Sequence, residues 1–234
     1  MQQNNRLYII DQMRGIAVLL MAIFHFCYDL SLFNFIEFSL KGGFFSWFRY
    51  LILTLFFIPV GASLALAHSA KIQWHKFIYR QGKLLVAALI ISVSSYFMYP
   101  TSWVWFGVLH FIFIASLLSL PLVNKPSLAG LFGLSIFLLF LLTPWFNLSF
   151  LYQALHEPLH LPHGTIDLTR LIPWLGMVYI GIFIGHKRAL RRKRLPLGSI
   201  NTLIHWLGRN SLIVYLVHQL PLYAIAWLLN AWLH

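Results

Sequence analysis

Residues 11–30 read DQMRGIAVLLMAIFHFCYDL. The stretch opens with charge, runs into apolar residues, and then places His25 and Asp29 where a helix should be deep in lipid. Ionisable side chains in hydrocarbon are costly, so they face a bundle interior or a cavity and mark function. Helical geometry makes the spacing informative. Arg14 and His25 are eleven residues apart, which at ~100° per residue is ~20° from three full turns, so the two share a face roughly 16 Å apart. Asp29 follows His25 at i+4 and joins that face. One stripe therefore carries a cation at one mouth, an imidazole at mid-depth and a carboxylate beyond. A cation at a mouth suits phosphate, and an imidazole beside a carboxylate suits general acid or base work. A plainer reading stays open for Arg14, as a flanking residue that snorkels to the interface and pairs with Asp11.

The rest of the chain supports a membrane setting. Its 234 residues are 60% hydrophobic and 9% charged, against about 25% charged in a soluble domain. The composition predicts an all-α, polytopic helical bundle forming a single domain over 1–234. The single Cys27 rules out an internal disulfide. The polar start MQQNNRLYII does not read as a cleavable signal. Seven apolar stretches have spanning length, at about 15–36, 46–68, 84–99, 103–123, 128–143, 171–186 and 210–232. The turn YPTSW joins the third to the fourth, and the longer irregular segments are 69–83, 144–170 and 187–209.

Positive charge sets the direction. With the N-terminus in the cytoplasm, the inner side holds Arg6, Arg14, Lys71, Lys76, Arg80, Lys83, Lys125, Lys187, Arg188, Arg191, Arg192, Lys193, Arg194 and Arg209, and the outer side holds Lys41, Arg49 and Arg170. Seven spans then leave the C-terminus outside. The net charge of +12 is mostly topology, and nucleic acid is not indicated. The run HKRALRRKR is read first as an inside anchor touching anionic lipid, with a dedicated ligand site as the other reading.

Three more polar residues fall in spans: His110 in FGVLHFIF, and His218 with Gln219 in IVYLVHQL. At about 1.5 Å per residue, His25, His110 and His218 reach similar depths, so the three can meet near the middle. Membrane histidines also serve simply as interhelical glue. In the outer loop, His156, His160 and His163 resemble metal ligands, but Pro158 and Pro162 break a helix there, and the segment is read as a loop with no metal expected. Asp167 and Arg170 either meet a polar acceptor at the outer mouth or pair with each other at i,i+3. Pro59 and Pro221 interrupt spans and free a backbone carbonyl each. The nine Trp are read as interface belt and packing.

DQMRGIAVLLMAIFHFCYDL resembles the opening of the prokaryotic relatives of heparan-alpha-glucosaminide N-acetyltransferase, and of the wider transmembrane acyltransferase superfamily, including acyltransferase-3 proteins. The acyltransferase-3 pattern of a basic residue, ten residues and a histidine corresponds here to Arg14 and His25. FGVLHFI around His110, LIPWLGMVYIGIFIG around Trp174 and NSLIVYLVHQLPL around His218 extend the similarity to the first family over nearly the whole chain. The lysosomal enzyme departs from this pattern, with asparagine where His25 stands and its essential histidine in an outer loop.

The resemblance implies a membrane-bound acyl-CoA-dependent acetyltransferase of the bacterial inner membrane. Acetyl-CoA is the expected co-substrate, and a sugar or glycan hydroxyl or amine at the outer side is the expected acceptor. Membrane lipid is a further partner, and a homodimer is left open. In this reading Arg14, Arg80 and Lys83 bind the CoA phosphates. His25, oriented by Asp29, acts as base or carries the acetyl group. His110 and His218 bind the acceptor or stabilise the oxyanion. Asp167, Arg170, Trp174 and Gln219 bind substrate. Two other classes remain at this point: a proton-coupled transporter with a His/Asp relay, and a membrane haem protein with two histidine ligands.

Overall fold

The computed structural model describes residues 8–40, 42–68, 71–143, 146, 149–158, 160–162, 165, 167–187 and 194–233. Arg6, Lys41, His163, Arg188, Arg191, Arg192 and Lys193 lie outside the described residues. The described residues are mostly helical, with no strand among them. In order it forms α1 (Tyr8–Leu32), α2 (Gly43–His68), α3 (Trp74–Met98), α4 (Val108–Ser119), α5 (Pro126–Leu142), α6 (Ser149–His156), α7 (Leu171–Gly185), α8 (Asn201–Arg209), α9 (Ser211–Val217) and α10 (Gln219–Leu233). Four helical stretches are long and apolar enough to cross a membrane: α1, α2, α3, and Ser211–Leu233, which joins α9 and α10. Three shorter apolar helices, Val108–Leu122, Pro126–Leu142 and Leu171–Gly185, stand at the other expected spans. The chain is an all-α membrane protein.

Several boundaries move from their sequence positions, each for a local reason. Helix α1 ends at Leu32 rather than 36, because Asn34 takes a left-handed φ of 61°. Phe35 N–H then bonds the Leu30 carbonyl at 3.1 Å and Asn34 N–H bonds that of Ser31 at 3.1 Å, which is the Schellman closure. Helix α3 begins at Trp74, ten residues before the expected start. Lys76, Arg80 and Lys83 end an apolar run, but long basic side chains do not end a helix. Helix α4 begins at Val108, not 103, since the backbone before it is held by side chains. Ser92 Oγ donates to the Val104 carbonyl at 2.6 Å, Val104 N–H donates to Ser95 Oγ at 2.9 Å, and Thr165 Oγ1 donates to the Trp103 carbonyl at 2.8 Å. Non-helical backbone is tolerated where its polar groups are satisfied in this way. Two segments read as irregular, 144–170 and 187–209, each contain a helix, α6 and α8. Both are far shorter than a spanning run, at eight and nine residues, so a search for such runs passes over them.

The chain forms two compact units, Met1–Pro59 with Arg188–His234, and Val60–Lys187. The boundary falls at Pro59, inside α2. In the first unit α1 packs against α8, α9 and α10. Its contact with α8 is backbone on backbone: a Cβ on Gly15 would lie 1.9 Å from the Ile204 carbonyl oxygen, and one on Gly208 would lie 1.8 Å from that of Asp11. Small residues permit this approach between membrane-embedded helices. In the second unit α3 packs on α4, and α7 packs on both α4 and α5. There Gly133 and Gly176 face each other less tightly, each added Cβ lying 2.8 or 2.9 Å from the other's carbonyl oxygen.

A polar clasp fastens the start of α1. Gln12 is fully buried, at 0% exposed. Its Nε2 donates to the Leu195 carbonyl at 3.0 Å and to Asn201 Oδ1 at 2.8 Å, while its Oε1 accepts Leu195 N–H at 2.9 Å. Tyr8 lies between the His205 ring, stacked at 4.4 Å, and the Arg194 guanidinium at 4.6 Å. His205 Nε2 also stands 3.6 Å from Asp11 Oδ2. Truncating Gln12 leaves the Leu195 N–H and carbonyl without their partner, so Gln12→Ala is expected to cost roughly 2–3 kcal/mol. A clear fall in the thermal midpoint of the detergent-solubilised protein is the readout, and an unchanged midpoint would mean the clasp is ornamental.

Candidate functional site

The first unit gathers four of the polar residues singled out in the sequence. His25 and Asp29 come from α1, His218 from the junction of α9 and α10, and Gln219 from the first position of α10. Pro221 has no N–H to return to the Val217 carbonyl, so the α9–α10 hydrogen-bond ladder is broken there. At this break the His218 ring turns back on its own helix, with Nδ1 2.8 Å from the Tyr215 carbonyl oxygen. The His25 ring does the same, with Nδ1 2.9 Å from the Met21 carbonyl oxygen. A carbonyl only accepts, so in each ring Nδ1 carries the proton and Nε2 is the basic nitrogen. The two rings meet edge to face, centroids 4.9 Å apart and planes at 76°.

Asp29 is 0% exposed. Its Oδ1 accepts a 2.7 Å hydrogen bond from Gln219 Nε2. The carboxylate is thus tied across to α10, and the Nδ1 of His25 is fixed by backbone rather than by Asp29. Three buried atoms of this group have no hydrogen-bond partner among the described residues: Asp29 Oδ2, His218 Nε2 and Gln219 Oε1. Arg14 stands three turns before His25 on α1, half-buried. Phe24 closes another side, with its ring 5.8 Å from that of His25 and 5.3 Å from that of Phe38. A histidine pair whose Nδ1 atoms hold the ring protons, next to a carboxylate and an amide, can take a proton from a bound hydroxyl or amine at Nε2.

His110 belongs to the second unit and is engaged there at both ring nitrogens. Its Nδ1 accepts Gly107 N–H at 3.3 Å, which places the ring proton on Nε2, 3.1 Å from Ser92 Oγ. Gly107 is the residue before α4 and His110 its third, so the ring closes the start of that helix. Asp167 serves the same helix end, accepting Val108 N–H at 3.4 Å, and Thr169 N–H donates to the Phe106 carbonyl at 3.0 Å. Ser92 was invisible in the sequence as a histidine partner, since a serine in an apolar run signals nothing about what it faces. Arg170 is exposed and immediately precedes α7, while Trp174 is buried within it. Arg80 is half-buried on α3, and the exposed Lys83 places its ammonium 4.3 Å over the Tyr79 ring. In the segment between α5 and α7, His156 ends α6 with its ring 5.1 Å from that of Tyr152, and His160 is exposed in the turn that follows.

These features define a class: a helical membrane protein with a half-buried histidine pair beside a buried carboxylate in its spans. Residues 6–220 match the family described as heparan-alpha-glucosaminide N-acetyltransferase, catalytic, and the chain belongs to that family. It is a membrane acetyltransferase. No curated protein and no solved structure matches the chain.

Proposed function

We propose that the chain moves an acetyl group from acetyl-CoA on the cytoplasmic side to a hydroxyl or amine of a glycan or amino sugar at the outer side of a bacterial inner membrane. The observation that carries the reading is the His25–His218 contact, two half-buried imidazoles that each commit Nδ1 to a backbone carbonyl, in a chain of this family. In the transfer, His25 Nε2 takes the acceptor's proton as the acceptor oxygen or nitrogen attacks the thioester carbon. The tetrahedral adduct collapses with cleavage of the C–S bond. CoA leaves as the thiolate, and the imidazolium returns its proton to that sulfur. No step requires a metal.

Arg14 is assigned to the phosphates of the donor. Its guanidinium is a phosphate-type partner, and it stands on the same helix as His25, three turns toward the cytoplasm in the orientation set by charge. We assign His110 and Asp167 to holding the start of α4 rather than to chemistry, because each already bonds a backbone N–H there. Titrating acetyl-CoA into the detergent-solubilised protein by calorimetry tests the reading. Micromolar binding is expected, with Arg14→Ala weakening it by about tenfold or more, the worth of a charged hydrogen bond. Absence of binding by a well-folded wild type, or Arg14→Ala affecting only the acceptor, would overturn the assignment.

A further inference from the structure

We infer that Asp29, Gln219 and His218 form the seat of the acyl acceptor, and that this seat selects ligands carrying two hydrogen-bond donors on neighbouring atoms. The inference rests on the acetyltransferase reading above and assigns one end of that site. Its basis is a mismatch in polarity. Asp29 Oδ2, Gln219 Oε1 and His218 Nε2 are all buried without a hydrogen-bond partner among the described residues. All three are acceptors. Asp29 Oδ2 is a carboxylate oxygen. Gln219 donates its amide N–H to Asp29 Oδ1, and its oxygen is the atom left without a donor. His218 has committed its ring proton to the Tyr215 carbonyl, which leaves Nε2 with a lone pair.

A buried group of acceptors is completed only by a ligand that brings donors. The thioester carbonyl of an acyl donor brings none, so it gains nothing against these atoms. A hydroxyl or amine does. The 2.7 Å bond between Gln219 and Asp29 holds the carboxylate and the amide side by side, so Oδ2 and Oε1 ask for donors on adjacent atoms, as in a vicinal diol or amino alcohol. A ligand with a single hydroxyl leaves one of them unpaired. Polar sites reject analogues that lack a matched donor because the site's own group is then stranded.

The test uses simple probes on the full chain in detergent. Saturation-transfer NMR would compare trans-1,2-cyclohexanediol with cyclohexanol. The diol is expected to bind at least about tenfold more tightly, the worth of one matched donor. Asp29→Asn keeps the shape but puts an amide donor where Oδ2 was, because its oxygen must face the Gln219 N–H. Gln219→Leu removes the second acceptor. Both should bring the diol down to the cyclohexanol level while acetyl-CoA binding stays within about twofold, less than one ordinary hydrogen bond. Equal binding of the two probes by the wild type would overturn the inference. So would a diol preference that survives both variants, or variants that lose acetyl-CoA in parallel. Acetyl-CoA consumption by the wild type is followed separately. A diol preference without consumption would keep the seat and reject acetyl transfer, whereas consumption without a diol preference would reject the seat alone.

Discussion

Replacing His25 by alanine is expected to lower acetyl transfer by about 10²- to 10⁴-fold, the usual contribution of a positioned acid or base. The ring is fixed by its Nδ1 bond to the Met21 carbonyl and by its contact with His218, so Nε2 is both basic and immobile. Alanine has a high helix propensity, and the Met21 carbonyl is also an acceptor within the α1 backbone ladder, so the helix survives the change. The variant should therefore elute as the wild type does and still bind acetyl-CoA through Arg14. The measurement is transfer of labelled acetyl from acetyl-CoA by wild type and variant at matched protein concentration. Retention of full activity would falsify the assignment of His25 as the base. Loss of acetyl-CoA binding together with activity would show instead that His25 holds the donor.

The second large effect concerns α8, the short helix that braces the N-terminal half of α1. Gly208→Ala places a methyl group 1.8 Å from the Asp11 carbonyl oxygen, and Gly15→Ala places one 1.9 Å from that of Ile204. The obstacle in both cases is main chain, which cannot rotate aside as a side chain does, so the two helices must part. Overpacking typically costs 1–3 kcal/mol, occasionally more, and a cost of about 3 kcal/mol or more is expected for each. A control separates this from intrinsic propensity. Gly82 in α3 has no atom within 4 Å of an added Cβ, so Gly82→Ala should be neutral or stabilising by up to about 1 kcal/mol. Thermal midpoints in detergent should fall steeply for the first two variants and hold or rise for the third. A uniform response of all three would mean that the α1–α8 contact does not limit stability.

Much of the fold is written in local chemistry. Apolar run length locates the seven membrane-type helices, because hydropathy is a property of consecutive residues and each helix satisfies its own backbone. The common face of Arg14, His25 and Asp29 likewise follows from the 3.6-residue repeat of one helix. Asn34 as a helix stop was equally available, since left-handed backbone favours that residue. The family motifs were legible for the same reason, being short and in order along the chain. Helix α8 was not legible: nine residues alternating Asn201, Thr202, His205 and Arg209 with Leu203, Ile204 and Trp206 form neither a spanning run nor a marked loop. What packs on a glycine is also silent in sequence, so Gly15 and Gly208 gave no hint of their contact.

The candidate site divides along the same line. That His25, Asp29, His110 and His218 are unusual is a matter of composition against depth, which a single chain displays by itself. Which of them meet is a matter of rotamers and helix pairing across nearly the full length of the chain. Only the tertiary structure joined His25 to His218, and Asp29 to Gln219 across 190 positions, and it bound His110 to Ser92 and the start of α4. The proton on each histidine followed from this, since a ring's tautomer is set by the hydrogen bond its other nitrogen makes. Residue type determined that imidazoles and a carboxylate would lie inside the membrane domain; the partner found by each Nδ1 decided which nitrogen of the ring carries the proton.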